Sequence, residues 1–107
     1  MRMWLVDPKI LCREHLLGEH LEMHMFAGHF RKGRALGGYA PMCETDKIAS
    51  RHDALATEME RRGYKHKSPL DFVPAKAQGK IDRAASLAEL IRRCPACARR
   101  HSSKEQS

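Results

Sequence analysis

His15-Leu16-Leu17-Gly18-Glu19-His20-Leu21-Glu22-Met23-His24-Met25-Phe26 decides the fold, because its spacing reads as the middle of a long helix. Leu17, Leu21, Met25 and Gly28 recur at steps of four and three and form the predicted core-facing seam. His15, Glu19, Glu22 and Phe26 recur at the same steps on a different face. Two carboxylates and an imidazole therefore share one side of the helix. A helix can also carry such a face for solvation alone, and spacing does not separate the two readings. His20-x-x-x-His24 puts two imidazoles one turn apart but lacks a Glu directly after the first, so it is not a zinc-protease helix. A metal site from His15, Glu19 and Glu22 stays open beside simple packing.

Outward from this stretch, the helix is predicted to run from about Pro8 to Lys32. Asp7 can cap it, and Pro8 suits a first turn because its missing N–H would be unpaired there anyway. Gly18 costs the helix about 1 kcal/mol relative to Ala, which points to a close approach at that position. Gly33 is the predicted stop. Met1 to Val6, apolar apart from Arg2, is expected to run extended against the helices. Residues 33–45, with Gly37-Gly38 and Pro41, read as a loop. A second helix starts near Thr45 or Asp46, buries Ile48, His52, Leu55 and Met59, and ends with Arg61-Arg62 ahead of Gly63. Tyr64 to Leu70 is a basic loop, and Asp71 to Lys80, with Pro74 and Gly79, is irregular. A third helix covers Asp82 to Arg93, with Ala85, Leu87, Leu90 and Ile91 apolar, and Pro95 closes it. The predicted fold is all-α: a compact three-helix single domain over residues 1–101. Its N-terminal segment threads against the helices, and a disordered polar tail covers 102–107.

The chain has 107 residues, a length for one domain, and is 42% hydrophobic and 31% charged, which excludes a disordered class. Its formal charge of +7 and pI near 9.6 point to a polyanionic partner. Basic residues cluster at Arg31, Lys32 and Arg34, at Arg61, Arg62, Lys65 and Lys67, and at Arg92, Arg93, Arg99 and Arg100. Clusters at helix ends suit phosphate contacts, and they also suit helix dipoles. Met1 to Leu11 is too interrupted for a secretory signal, and no apolar run has membrane-spanning length. The expectation is a soluble, cytoplasmic monomer with no membrane partner. Its four cysteines are then thiols or metal ligands rather than disulfides. Cys94-x-x-Cys97 is half of a structural zinc site, which Cys43, Cys12 or His101 would have to complete. With no second C-x-x-C, the expectation is buried thiols and no metal or other cofactor.

The first helix, with Arg31-Lys32 downstream, resembles the pyrimidine-dimer DNA glycosylases. Glu58-x-x-Arg61-Arg62-Gly63-Tyr64 is similar to that family's second helix and turn, and Arg92-Arg93-Cys94-Pro95 falls where its third helix ends. The resemblance covers most of the chain outside residues 33–45 and the tail. It implies excision of a damaged base from double-stranded DNA, followed by strand cleavage through an imine on the N-terminal α-amine. An α-amine titrates near 8 against about 10.4 for lysine, so a useful fraction is neutral at physiological pH. Ungapped alignment places Met1 at the nucleophile, and Arg2 is too large for ordinary methionine removal, so Met1 is expected to be retained. Glu22 corresponds to the acid/base glutamate. Arg2 and His15 correspond to groups that hold phosphate or sugar. Glu19 also matches the pattern, either as a contact or as a structural partner of a basic residue. Arg31, Lys32, Arg61, Arg62, Lys65, His66 and Lys67 are the further DNA contacts proposed. The family's aromatic-rich C-terminal tail is replaced here by Cys97 to Ser107. Two other readings stand beside this one: a non-catalytic DNA-binding module on the same scaffold, and a small metal-dependent nuclease using His15, Glu19 and Glu22.

Overall fold

The longest element is α1, Arg13–Arg31, preceded by a 3-10 turn at Pro8–Ile10. The computed structural model describes residues 1–34, 38, 42–66, 68–70 and 77–106, with side chains through 104. The Asp7 side chain accepts the Lys9 N–H, as predicted, but it caps the 3-10 turn, and α1 begins afresh after Cys12. Gly33 takes φ +71 just past the helix and donates to the Phe30 carbonyl, so the predicted stop holds. A second 3-10 turn, Thr45–Lys47, leads into α2, Ile48–Arg61. Gly63, at φ +86, follows it. Then come α3, Arg83–Arg93, and α4, Pro95–Gln106. Asp82 caps α3 by accepting the Ala85 N–H.

The chain is all-α, with four α-helices and no strand among the described residues. The expected count of three fails at Pro95. That proline does end α3, and it also opens α4, where its missing N–H costs nothing. Cys94 between them is extended, the conformation forced on a residue before proline. The predicted disordered tail is largely the second half of α4. Lys104 bonds Asp7 at 2.8 Å and Arg100 donates to the Lys9 carbonyl, which holds this helix against the first 3-10 turn.

The seam predicted for α1 is the wrong one. Leu21 and Met25 are 59% and 47% exposed, whereas Leu16, Met23 and Phe26 are fully buried. Glu19 and His20 lie on the buried face with them. A polar side chain can occupy such a face only when a partner offsets its desolvation, and the partner of Glu19 is on α2. The α2 stripe Ile48, His52, Leu55 and Met59 is buried as read. On α3, Leu90 is buried and Leu87 partly so, but Ala85 is exposed and Ser86 takes the inner position.

Met3, Trp4 and Val6 are buried beside α1 and α2 in one apolar cluster. Met3 donates to the Met42 carbonyl at 2.7 Å, Ser86 Oγ donates to the Trp4 carbonyl at 2.6 Å, and Arg51 donates to the Val6 carbonyl at 2.7 Å. Leu5, within this segment, has φ +53, which a non-glycine residue holds only when its neighbours are fixed. No helix among the described residues is long and apolar enough to cross a membrane.

Candidate active-site cleft and side-chain clusters

A cleft of about 460 Å³ lies between the N-terminal segment, the first half of α1 and the end of α3. Met1, Arg2, His15, Gly18, Glu19, Glu22 and Arg93 are among the residues that line it. Glu22 Oε2 accepts the backbone N–H of Arg2 at 3.3 Å. The carboxylate is thereby tied one residue away from the start of the chain, and the two groups border the same space. Arg2 lies 3.6 Å over the Trp4 ring and donates to Glu89 at 3.0 Å. Arg93 donates to the other oxygen of Glu89 at 2.6 Å. Arg2 holds the Glu89 carboxyl below the usual carboxylate range. One anion thus keeps two guanidiniums at the rim without consuming all their donors, an arrangement suited to phosphate.

Glu19 and Arg51 hold the floor. Arg51 donates from Nε and from a terminal nitrogen to the two Glu19 oxygens, at 2.5 and 2.9 Å. Burial pushes the Glu19 carboxyl up, and the guanidinium and the Trp4 backbone offset part of that rise. The pair reaches the N-terminal segment from both members: Glu19 meets the Trp4 backbone, and Arg51 meets the Val6 carbonyl. A buried pair of this kind adds little net stability, but it fixes a geometry, here the path of the chain leading to Met1. Of the two roles read for Glu19, contact or structural partner of a basic residue, the pair with Arg51 is the one present, and it engages both carboxylate oxygens.

The predicted basic contacts divide. Arg31, Lys32, Arg61 and Lys65 are exposed at helix ends. Arg61 also pairs with Glu58, which holds that carboxyl low. Arg62 turns inward, its side chain only 9% exposed. It bonds Glu58 and the carbonyls of Pro8, Lys9 and Leu11, and so clamps α2 to the first 3-10 turn. His66 is partly buried, its Nε2 lying 3.3 Å from that of His52. Lys67 lies outside the described residues, as do Gly37, Pro41 and Pro74. Gly18 has open space where a Cβ would stand, so the predicted close approach is replaced by an opening onto the cleft. Trp4 and Glu89 belong to the site and carried no sequence signal, because their roles depend on Arg2.

Two further clusters gather ligand-type atoms within 4.8 Å of one another: Cys12, His15, Cys94 and Cys97, and His20, His52 and His66. His15, Glu19 and Glu22 do not form such a group among the described residues. The metal-nuclease ligand set is absent because Glu19 turns to Arg51 and His15 Nδ1 faces sulfur. His24 joins the histidines, its ring 4.8 Å from His52 and 5.2 Å from His20. The Nε2 atoms of His20 and His24 are buried without hydrogen-bond partners among the described residues. Burial, reinforced by the neighbouring imidazoles, pushes His20 down to about 4. Cys43 belongs to neither cluster, and burial pushes its thiol up to about 12.

A family model described as pyrimidine dimer DNA glycosylase matches residues 1–72 of the chain. Neither the curated proteins nor the solved structures give a match.

Proposed function

The chain belongs to the pyrimidine dimer DNA glycosylase family, and on that premise we propose that it excises pyrimidine dimers from duplex DNA and then cuts the strand at the resulting imine. The Met1 amine attacks C1′ of the damaged nucleotide. The glycosidic C–N bond breaks, and its electron pair leaves with the base. The C1′–O4′ bond then breaks as O4′ takes a proton and the amine nitrogen gives one up, leaving an imine between Met1 and the ring-opened sugar. Glu22 stabilises the cationic species and takes a proton from C2′, after which the C3′–O bond breaks by β-elimination and phosphate departs. Hydrolysis of the imine frees the enzyme.

The observation that carries this reading is that Met1 and Glu22 border one cleft, with Glu22 bonded to the amide of the residue after Met1. A general base must stand within hydrogen-bond reach of the proton it moves, directly or through one water. Arg2 and Arg93 supply cationic donors at the same rim, and Arg31, Lys32, Arg61 and Lys65 supply exposed charge for the duplex backbone. Enzymes that act on a base or sugar inside duplex DNA must first take a nucleotide out of the stack.

The test is borohydride trapping on UV-irradiated and abasic duplexes. The untagged chain should form a covalent adduct, and acetylation or extension of the N-terminus should abolish it. Glu22→Gln should reduce strand cleavage by roughly 10²- to 10⁴-fold. An adduct that survives a blocked N-terminus moves the nucleophile to a lysine. Unchanged strand cleavage in Glu22→Gln removes Glu22 from the chemistry, and neither adduct nor cleavage by the unsubstituted chain leaves only a DNA-binding scaffold.

A further inference from the structure

We propose that Cys12, His15, Cys94 and Cys97 bind one zinc ion that fastens the start of α1 to the α3–α4 junction. Two short motifs meet here: Cys12-x-x-His15, at the beginning of α1, and Cys94-x-x-Cys97, at the beginning of α4. They are 82 residues apart in sequence at the Cys94–Cys12 contact. A tetrahedral site with Zn–S near 2.3 Å and Zn–N near 2.0 Å has S···S edges of about 3.8 Å and S···N edges of about 3.5 Å. Cys94 Sγ lies 3.8 Å from Cys12 Sγ, and His15 Nδ1 lies 3.7 Å from Cys97 Sγ and 3.1 Å from Cys12 Sγ. The first two separations lie close to those edges, the third is shorter by about 0.4 Å, all four ligand atoms lie within 4.8 Å of one another, and the sulfurs of Cys12 and Cys94 are far beyond disulfide length.

The surroundings suit thiolates. The Cys12 amide donates to Cys97 Sγ at 3.2 Å, and the Cys97 amide donates to Cys94 Sγ at 3.4 Å. Backbone donors to ligand sulfur are the usual outer support of such sites. Both motifs sit at helix N-termini, where the dipole favours negative charge. Three thiolates and one imidazole in a closed tetrahedral arrangement select zinc among common metals. Binding to the neutral imidazole and three thiols releases three protons.

The site also bears on the cleft. His15 lines the cleft while its Nδ1 faces the sulfurs. With Nδ1 on the metal, Nε2 carries the proton and is the ring's remaining donor. The same ion holds Cys94 directly after Arg93, one of the two guanidiniums at the rim. His101, the sequence candidate for the imidazole ligand, is replaced by His15, and Cys43 is excluded from the set.

The test uses the full chain purified under reducing conditions without chelator. Elemental analysis should give about one zinc per chain, and refolding with Co²⁺ should give tetrahedral visible bands with an intense thiolate charge-transfer band in the near ultraviolet. Cys94→Ser and Cys97→Ser should lose those bands, His15→Cys should keep them at shifted positions, and Cys43→Ala should leave them unchanged. If the serine variants fail to fold, the cobalt spectrum of the unsubstituted chain, taken with His15→Cys and Cys43→Ala, still decides. Removing the ion should lower Tm by roughly 10 °C or more. A folded chain that takes up neither Zn²⁺ nor Co²⁺ overturns the proposal. So does iron in place of zinc, a Cys94–Cys97 disulfide in the freshly reduced protein, or cobalt bands that depend on Cys43.

Discussion

Mild acid should destabilise this protein through its histidine cluster. His20 is 8% exposed, with ring centroids 4.5 Å from His52, 4.8 Å from His66 and 5.2 Å from His24. Desolvation, then the other three imidazoles, bring it from an ordinary 6.5 to about 4. A lowered folded-state value means that the unfolded chain binds the proton more tightly. The stability is therefore complete above about pH 6.5 and is lost as pH falls toward 4. At pH 5 the unfolded side chain is almost fully protonated and the folded one scarcely so, which removes about 2 kcal/mol relative to pH 8. For a domain of this size that is a fall in Tm of roughly 10 °C. Among the described residues, the charges around the cluster include Asp53, 2.9 Å from His52, Glu60, 3.9 Å from His66, and Arg31, which acts on His24. The assay is urea denaturation of the wild type and His20→Gln between pH 8 and pH 5, with the contributions of shared groups cancelling in the difference. The wild type should lose about 2 kcal/mol more than the variant over that interval. Parallel stability curves would refute the burial argument, because they would mean that water reaches His20 in the folded state.

Three further outcomes follow from individual contacts. Arg51→Met leaves the Glu19 carboxyl buried without its guanidinium and should cost about 3–5 kcal/mol in denaturant midpoint measurements. It should also loosen the segment that leads to Met1, seen as faster amide exchange at Trp4 and Val6. Gly18→Ala should stabilise α1 by about 1 kcal/mol, since its methyl meets nothing within 4 Å. The same methyl projects into the cleft, so incision of damaged duplex should fall while Tm rises; a rise in both would show that the opening is not used. Asp82→Ala removes the acceptor for the Ala85 amide and should destabilise the chain by about 1 kcal/mol, read as a lower urea midpoint.

The helical class and most helix ends were readable in the chain because their causes are local. Gly33 and Gly63 are left-handed just past their helices, and Asp82 caps the helix that follows it. Each signal acts over a few residues. Pro95 shows the limit of such a signal, since the same ring closes one helix and opens the next. The pairing of Met1 with Glu22 came from resemblance, and the cleft brings both residues to one space. The buried face of α1 was misread because hydrophobicity alone sets Leu21 and Met25 inside and Glu19 outside.

What the sequence by itself determined is therefore where three of the four described helices form, what family the chain belongs to and how basic it is. Tertiary structure alone decided which face of α1 turns inward, that Arg51 rather than solvent or DNA receives Glu19, and that His15 completes the cysteine cluster. Those partners are 32 and 82 residues apart at the Arg51–Glu19 and Cys97–His15 contacts. No local periodicity specifies such pairs; the desolvation of buried charge and sulfur selects them once the helices meet.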